Sequence, residues 1–283
     1  MSTFYTSVER YGNNILFRGY RDGKAFKMKV PFKPTFYVPS KSPTPYKTLQ
    51  GQFLAPVKMD SMSSAYEFVE QYKDVDNFKI YGTQNYCHQA ISDLYYNKPV
   101  EWDRKAINVT SVDIEVQSDE GFPDPQYANY PITAITCRSS IDDIYYTWAC
   151  VEYNVEDTIN KDLKIQYVRC KDEKDLLVKF LTHWIGRVYL VNRMSSIISE
   201  EAARKISPWH VVKSNSIEIA GKQHQVYDIY GIQQLDYLDL FKKFAYKYGT
   251  QESYKLNNIA HTVLNEQKLD YSEYSSLNEL YKK

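Results

Sequence analysis

The segment Val112-Asp113-Ile114-Glu115-Val116 ends an apolar run that begins at Ile107. Along a β-strand, side chains at i and i+2 point to the same face, so Asp113 and Glu115 share one side of the predicted strand. Two neighbouring carboxylates repel each other, and each loses hydration on a core strand. A divalent cation offsets both costs, which predicts half of a metal site for Mg²⁺ or Mn²⁺. The alternative is an edge strand with both acids in water.

The residues after this strand extend the pattern. A Gly121-Phe122-Pro123 loop follows, and then Tyr130-Pro131-Ile132-Thr133-Ala134-Ile135-Thr136. This order closely resembles the first exonuclease motif of family B DNA polymerases, specifically those of T-even-type bacteriophages. Further segments that look like the same family occur in its order along nearly the whole chain: Phe4–Glu9, Phe32–Pro34, Ile141–Asp143, Ile206–Pro208 and Leu235–Phe244.

The resemblance implies a ribonuclease-H-like exonuclease domain that removes mismatched nucleotides from the 3′ primer end of DNA. In that family two metal ions bridge the scissile phosphate. By motif match, Asp113 and Glu115 are the catalytic and metal-binding acids, with Mg²⁺ or Mn²⁺ as the cofactor. The implied partner is DNA, as a single-stranded primer end, and relatives of the family can also bind RNA.

Composition bounds the function without deciding it. The chain has 283 residues, enough for two modest domains, and its 35 basic and 35 acidic residues leave no global charge signal for nucleic acid. Its four cysteines contain no Cys-x-x-Cys pair, which favours a reduced cytosolic protein over a zinc site. No apolar run approaches membrane-spanning length, so we expect no membrane partner. With the implied family, the expected location is the cytoplasm of an infected bacterial host.

The predicted fold class is α/β (mixed α+β), with a small mixed N-terminal domain at residues 1–103. Strands are predicted at 4–9, 15–20, 25–30 and 78–81, and the prolines from Pro31 to Pro45 are expected to end the first group. Helices are predicted from Ser64 to Tyr72, opened by a capping box at Ser64–Glu67, and from Cys87 to Tyr96.

Residues 104–283 are predicted to form a truncated, partial exonuclease domain. It starts as a β-meander, with strands near 107–116, 131–137, 143–150 and 164–169. Helices are expected near 172–184, 189–206, 236–246 and 253–266, with a hairpin at 211–219 and 223–230. In the first helix an apolar stripe at helical spacing predicts a core-facing surface, formed by Leu176, Leu177, Phe180, Leu181 and Trp184.

The resemblance breaks at the family's second motif, Asn-x-x-x-Phe-Asp on a strand before a helix. The helix survives as Tyr189–Met194, but Trp184–Val188 precedes it, and the strand with its Asp is absent. Removing a central strand would leave backbone groups unpaired unless Arg187–Val191 shifts into that role. Otherwise we expect the domain to be less stable than its relatives.

The family's third motif and the polymerase core are also expected to lie outside this sequence. Two acids therefore remain where two dications and a phosphate need about four. We expect the cations to be held weakly and hydrolysis by the chain alone to be weak or undetectable.

The predicted hairpin resembles the family element that helps to switch the primer between active sites. Lys213, Lys222, His224 and Gln225 are its candidate nucleic-acid-binding residues. The alternative is an ordinary exposed hairpin with solvated polar residues.

The leading hypothesis is the N-terminal and exonuclease portion of a phage-type DNA-directed DNA polymerase, active in replication and proofreading. One form of this hypothesis is that the chain is one subunit of a split polymerase, in which a second chain carries the polymerase core. The rivals are a non-catalytic DNA- or RNA-binding module and a decayed fragment without function.

Overall fold

The computed structural model describes residues 3–76, 78–118, 124, 127–158, 160–183, 194–219, 222–235, 237–249, 251 and 253–266. The chain divides into two compact units. The first comprises Met1–Val109, Ser207–Lys213 and Asp228–Ile232, and the second comprises Thr110–Ile206, Ser214–Tyr227 and Gln233–Lys283. Helices and strands occur in both units, so the fold is mixed α/β, as predicted.

The first unit contains two antiparallel sheets of three strands each. One sheet has the order β1-β2-β3 and is formed by β1 (Thr3–Tyr11), β2 (Asn14–Arg21) and β3 (Lys24–Pro31), which confirms the predicted strands. The other has the order β4-β6-β5 and is formed by β4 (Thr35–Pro39), β5 (Tyr46–Lys47) and β6 (Phe53–Lys58).

The first group of strands ends at Pro31, as predicted, but the proline-rich stretch that follows contains a further strand, β4, which was not predicted. Pro56 also sits within β6, opposite Tyr37 of β4. Since β5 pairs only with Phe53 and Leu54, Pro56 lies where β6 has one strand neighbour, a position that tolerates a missing N–H. The predicted strand at 78–81 is instead an isolated bridge between Tyr81 and Tyr37.

Two helices complete the core of the first unit. Helix α1 (Met62–Tyr72) begins earlier than predicted, because Ser61 caps it: the Ser61 Oγ accepts from the Ser64 N–H at 3.1 Å, and the Ser64 Oγ accepts from the Ser61 N–H at 2.9 Å. Helix α2 (Tyr86–Tyr95) is capped by Asn85. Buried side chains from these helices and from the strands form one cluster: Ile15, Phe17, Phe36, Met59, Met62, Ala65, Tyr86 and Ala90.

The second unit is built on a four-stranded sheet of order β10-β9-β8-β7. Its strands are β7 (Thr110–Val116), β8 (Ile132–Ser139), β9 (Ile144–Ala149) and β10 (Lys164–Arg169). The first three form the predicted meander, but β10 runs parallel to β9. Two parallel strands need a connection that brings the chain back to the end of the sheet where the first strand began. The connection over residues 150–163 is long enough to do this between β9 and β10.

Helix α3 (Glu173–His183) covers one face of this sheet. The Asp172 carboxylate accepts from the Asp175 N–H at 2.8 Å and so caps the helix. Leu176, Leu177 and Phe180 are fully buried, and the Phe180 ring meets the Trp148 ring of β9 edge-on, with centroids 5.5 Å apart. The predicted core-facing stripe is thereby confirmed at these three residues, whereas Leu181 is only partly buried and Trp184 lies outside the described residues.

The remaining elements are short. They are α4 (Glu200–Arg204), β11 (Val212–Ile219), β12 (Lys222–Ile229), α5 (Tyr237–Phe244), α6 (Leu256–Leu264) and 3₁₀ turns at Arg104–Ala106, Val155–Asp157 and Tyr246–Tyr248. A continuous helix over 189–206 is wrong, because Ser199 starts α4 by accepting from the Ala202 N–H at 3.1 Å. In the described part of the chain, the helices all fall short of the length and apolar content that a membrane crossing needs.

Truncating Phe180 tests the packing of α3 on the sheet. We expect Phe180→Ala to lower the free energy of unfolding by about 3–5 kcal/mol, because it removes a buried ring and leaves a cavity. Val178 lies in the same helix and is 46% exposed. Val178→Ala should therefore change stability by no more than about 0.5 kcal/mol in the same urea titration. Equal losses in the two variants would contradict the packing.

Candidate functional site

Strand β7 carries the two candidate acids on the face opposite its buried residues. Val112 is 7% exposed, whereas the Asp113 and Glu115 side chains are both exposed. Asp113 pairs with Thr136 of β8, and Glu115 pairs with Ala134. Because facing residues on neighbouring strands point to the same side of a sheet, α3 packs on the Val112 face and the acids occupy the other.

The expectation that a core strand strips these acids of hydration was therefore wrong. Within the described residues, β7 lies at the edge of its sheet, with β8 as its strand neighbour. An exposed carboxylate keeps most of its hydration, so burial supplies no force toward cation binding here. The exposure of Asp113 and Glu115 matches the alternative of an edge strand with both acids in water. The argument for a metal site therefore rests on the chemistry of the motif.

The neighbours of the acids across the sheet are small or hydroxylated. The Thr136 and Thr147 hydroxyl oxygens of β8 and β9 share a hydrogen bond of 3.0 Å, and Thr136 is the direct neighbour of Asp113. Ala134 takes the corresponding place beside Glu115. No bulky side chain therefore stands directly across from either carboxylate on β8.

The donor set fits part of a hard-cation site. Two carboxylates at i and i+2 offer the oxygen ligands that Mg²⁺ and Mn²⁺ prefer. Among the described residues, no group of three or more His, Cys, Asp or Glu side chains is placed to share a metal ion. The second-motif region, with Arg187–Val191 and Tyr189–Met194, falls almost entirely on residues 184–193, outside the described part.

Of the four candidate nucleic-acid-binding residues of the hairpin, the structure describes the side chains of Lys213 and Gln225. Lys213 lies at the start of β11, with its Nζ 5.0 Å from the centroid of the Tyr230 ring. Gln225 of β12 donates to the Ser214 hydroxyl at 3.0 Å and to the Tyr227 hydroxyl at 3.1 Å. The side chains of Lys222 and His224 lie outside the described set.

The first unit holds a group of lysines and aromatic rings that the sequence did not reveal. We call it the lysine–aromatic cluster, and it consists of Tyr11, Lys27, Lys29, Trp209, Lys213 and Tyr230. The Lys27 Nζ lies 5.6 Å from the Trp209 ring centroid and donates to the Pro208 carbonyl at 3.0 Å. The Lys29 Nζ lies 5.5 Å from the Tyr11 ring, which in turn meets the Tyr230 ring edge-on at 6.3 Å.

Within the described residues, none of the three cluster lysines forms an ion pair with a carboxylate. The alternation of Lys27 and Lys29 on β3 places two of the charges on one face and could have been found from the sequence. The rings and Lys213 come from segments far apart in the chain, so their approach could not.

Comparison with known proteins places these elements in a family. Residues 68–186, which include β7–β10 and α3, match the model of the family B DNA polymerase exonuclease domain. This segment is a family B exonuclease region, and it contains both Asp113 and Glu115.

The relatives are phage enzymes. Over 308 aligned positions, 96% of the chain is 31% identical to the DNA-directed DNA polymerase of Enterobacteria phage T4. It is 29% identical to the DNA-directed DNA polymerase of Escherichia phage RB69, over 310 positions and again 96% of the chain. The chain is thus related to the T-even-type family B polymerases, and it spans 34% of the length of each of these two relatives.

Neutralising Asp113 tests its exposure. We expect Asp113→Asn to change the free energy of unfolding by no more than about 0.5 kcal/mol, because the carboxylate already faces water. Thermal unfolding of the wild type and the variant at neutral pH measures this. A large change in either direction would mean that the carboxylate is buried or paired, as a core strand would require.

Proposed function

We propose that this chain is the exonuclease-bearing portion of a phage DNA-directed DNA polymerase, acting in replication and proofreading in the cytoplasm of the infected host. One observation carries the proposal. An Asp-x-Glu strand lies in its expected order within a segment that matches the family B exonuclease domain. On this proposal, β7–β10 and α3 belong to a ribonuclease-H-like domain whose substrate is the 3′ end of a single-stranded DNA primer.

In the proposed reaction, Asp113 and Glu115 would hold the divalent cations at the scissile phosphate. When bound, Mg²⁺ or Mn²⁺ would supply an activated water and stabilise the leaving oxygen. Because both carboxylates are exposed, a primer phosphate would reach them without a prior opening of the domain. The small Thr136 and Ala134 side chains beside them leave the direct approach from β8 unobstructed.

We further propose that hydrolysis by this chain is impaired. The sequence keeps the second-motif helix residues Tyr189–Met194 but has no Asn-x-x-x-Phe-Asp segment before them. The length of the alignment supports a missing stretch, since 308 aligned positions against 283 residues leave at least 25 positions without a counterpart here. Two carboxylates neutralise only part of the positive charge of two dications, so the cations would be held weakly.

Primer degradation tests the proposed impairment. With Mg²⁺, we expect the full chain to trim a single-stranded primer at least about 10³-fold more slowly than an intact family member, because ligands of the metals are missing. Any residual trimming should vanish in Asp113→Ala and persist in Asp162→Asn, which changes an exposed acid outside the motif. Brisk trimming that Asp113→Ala abolishes would show that the site is complete after all.

The split-polymerase form of the proposal has its own test. A chain that lacks part of the site would work beside a second chain with the polymerase core. An open reading frame for such a core next to this gene, together with co-purification of its product, would support that form. Absence of both would leave the binding module as the better account.

A second candidate function is a non-catalytic module for DNA or RNA. The lysine–aromatic cluster favours it, because three lysines without carboxylate partners among the described residues lie against aromatic rings. Single-stranded nucleic acids are bound by such combinations of positive charge for the backbone and rings for the bases. This function would use the first unit and would not need the missing second motif.

Salt-dependent binding distinguishes the second candidate. We expect the double variant Lys27→Ala and Lys29→Ala to weaken binding of a single-stranded oligonucleotide. The slope of log K against log salt should also fall by about 0.7 for each lost phosphate contact. Lys73→Ala is the matched control, because Lys73 lies in the same unit but is already paired with Glu70. Fluorescence anisotropy measures both quantities, and an unchanged slope in the double variant would contradict a role for the cluster.

A further inference from the structure

Two cysteines come directly after the ends of neighbouring parallel strands in the second unit. Strands β9 and β10 pair in register up to Ala149 opposite Arg169. Cys150 and Cys170 are the next residues of the two strands. Both remain tied to the sheet, because the Cys170 N–H donates to the Ala149 carbonyl at 2.8 Å and the Cys150 N–H donates to the Thr133 carbonyl at 3.1 Å.

This register brings the two thiols to one place. Neighbouring strands lie about 4.8 Å apart, and facing residues on them point to the same side of the sheet. A disulfide needs its two Cα atoms to be about 4.4–6.8 Å apart. The next facing position of β9 and β10 therefore meets the requirement without a shift of the backbone.

We propose that Cys150 and Cys170 form a dithiol site that peroxides oxidise to a disulfide joining the ends of β9 and β10. This site is independent of the proposed exonuclease function, and it involves neither Asp113 nor Glu115. All four cysteines of the chain are in the thiol form in the structure.

The two cysteines differ in solvent exposure, and this difference determines which of them reacts with peroxide first. Cys150 is partly exposed, whereas Cys170 is 2% exposed, and its thiol points toward the Val168 carbonyl at 3.5 Å. The Cys150 thiolate attacks one peroxide oxygen, the O–O bond breaks, and Cys150 becomes a sulfenic acid while hydroxide leaves. The Cys170 thiolate then attacks the Cys150 sulfur, and a second hydroxide leaves. The two sulfurs lose two electrons, the peroxide gains them, and the thiol protons complete two waters.

The surroundings slow the reaction at neutral pH. Burial raises the pKa of both thiols, and the carboxylates Asp172, Glu173 and Asp175 at the start of α3 raise that of Cys150 further. Lys179 acts in the opposite direction on Cys170, where Asp175 and Cys150 add to the upward shift. Tyr167 also lies near the pair: burial raises the pKa of its hydroxyl, and Cys170 and Cys150 raise it further. Since the thiolate is the reactive form, oxidation should accelerate in mildly alkaline buffer.

Peptide mapping of the oxidised full chain tests the proposal. The protein is treated with hydrogen peroxide in mildly alkaline buffer, its remaining thiols are alkylated under denaturing conditions, and it is digested without reduction. We expect mass spectrometry to show the Cys150 and Cys170 peptides as one linked species that has lost two hydrogens. Cys87 and Cys137 should be recovered in the alkylated form.

Variants and a second reagent sharpen the result. The double variant Cys87→Ser and Cys137→Ser should keep the link, and Cys150→Ser should lose it and leave Cys170 open to alkylation. Phenylarsine oxide, which binds two adjacent thiols through one arsenic, should bind the native wild-type chain once and protect both cysteines. The wild-type map decides the question even if a variant fails to fold.

Two outcomes would overturn the proposal. One is a disulfide that involves Cys87 or Cys137 in place of the expected pair. The other is Cys150 recovered as a sulfinic acid while Cys170 is still alkylated, which would mean that the two sulfurs do not meet.

Discussion

The packing of α3 against one face of the β7–β10 sheet is the contact on which the second unit depends. Leu176, Leu177 and Phe180 bury their side chains there, and Phe180 meets Trp148 edge-on. Because residues alternate along a strand, a buried Val112 commits Asp113 and Glu115 to the opposite face. The apolar contact thus decides where the acids point, although neither acid takes part in it. In the same sheet, the pairing of β9 with β10 ends at Ala149 opposite Arg169, and Cys150 and Cys170 are the residues that follow.

Charge sets the limit on what the acids do alone. An exposed carboxylate pair costs the fold little, since each group keeps its hydration, and it gains little from a cation for the same reason. A catalytic two-metal centre works differently, because several carboxylates surround the ions and together neutralise their positive charge. Asp113 and Glu115 supply the first part of such a set. Whatever completes it determines whether the chain cleaves DNA or only contacts it.

Local patterns predicted the elements well, and contacts between distant segments were predicted poorly. The apolar stripe of α3 and the strand at Lys164–Arg169 follow from periodicity alone. The start of α1 was missed because Ser61 and Ser64 cap each other. Strand β4 was missed because it lies among prolines and forms by pairing with β6. The exposure of Asp113 depends on which face of the sheet α3 covers, and the sequence of β7 alone does not specify that face. The lysine–aromatic cluster likewise joins four separate segments: β1, β3, residues 209–213 and Tyr230.

Crystals of the full chain grown with Mn²⁺ and a short single-stranded oligonucleotide would test the central claim most directly. Anomalous scattering locates the manganese without reference to any relative. The account predicts a partly occupied peak within about 2.2 Å of the Asp113 and Glu115 carboxylate oxygens, beside the terminal phosphate of the oligonucleotide. Manganese bound elsewhere with both acids left in solvent would contradict it, and so would a fully occupied pair of ions enclosed by a complete ring of acids.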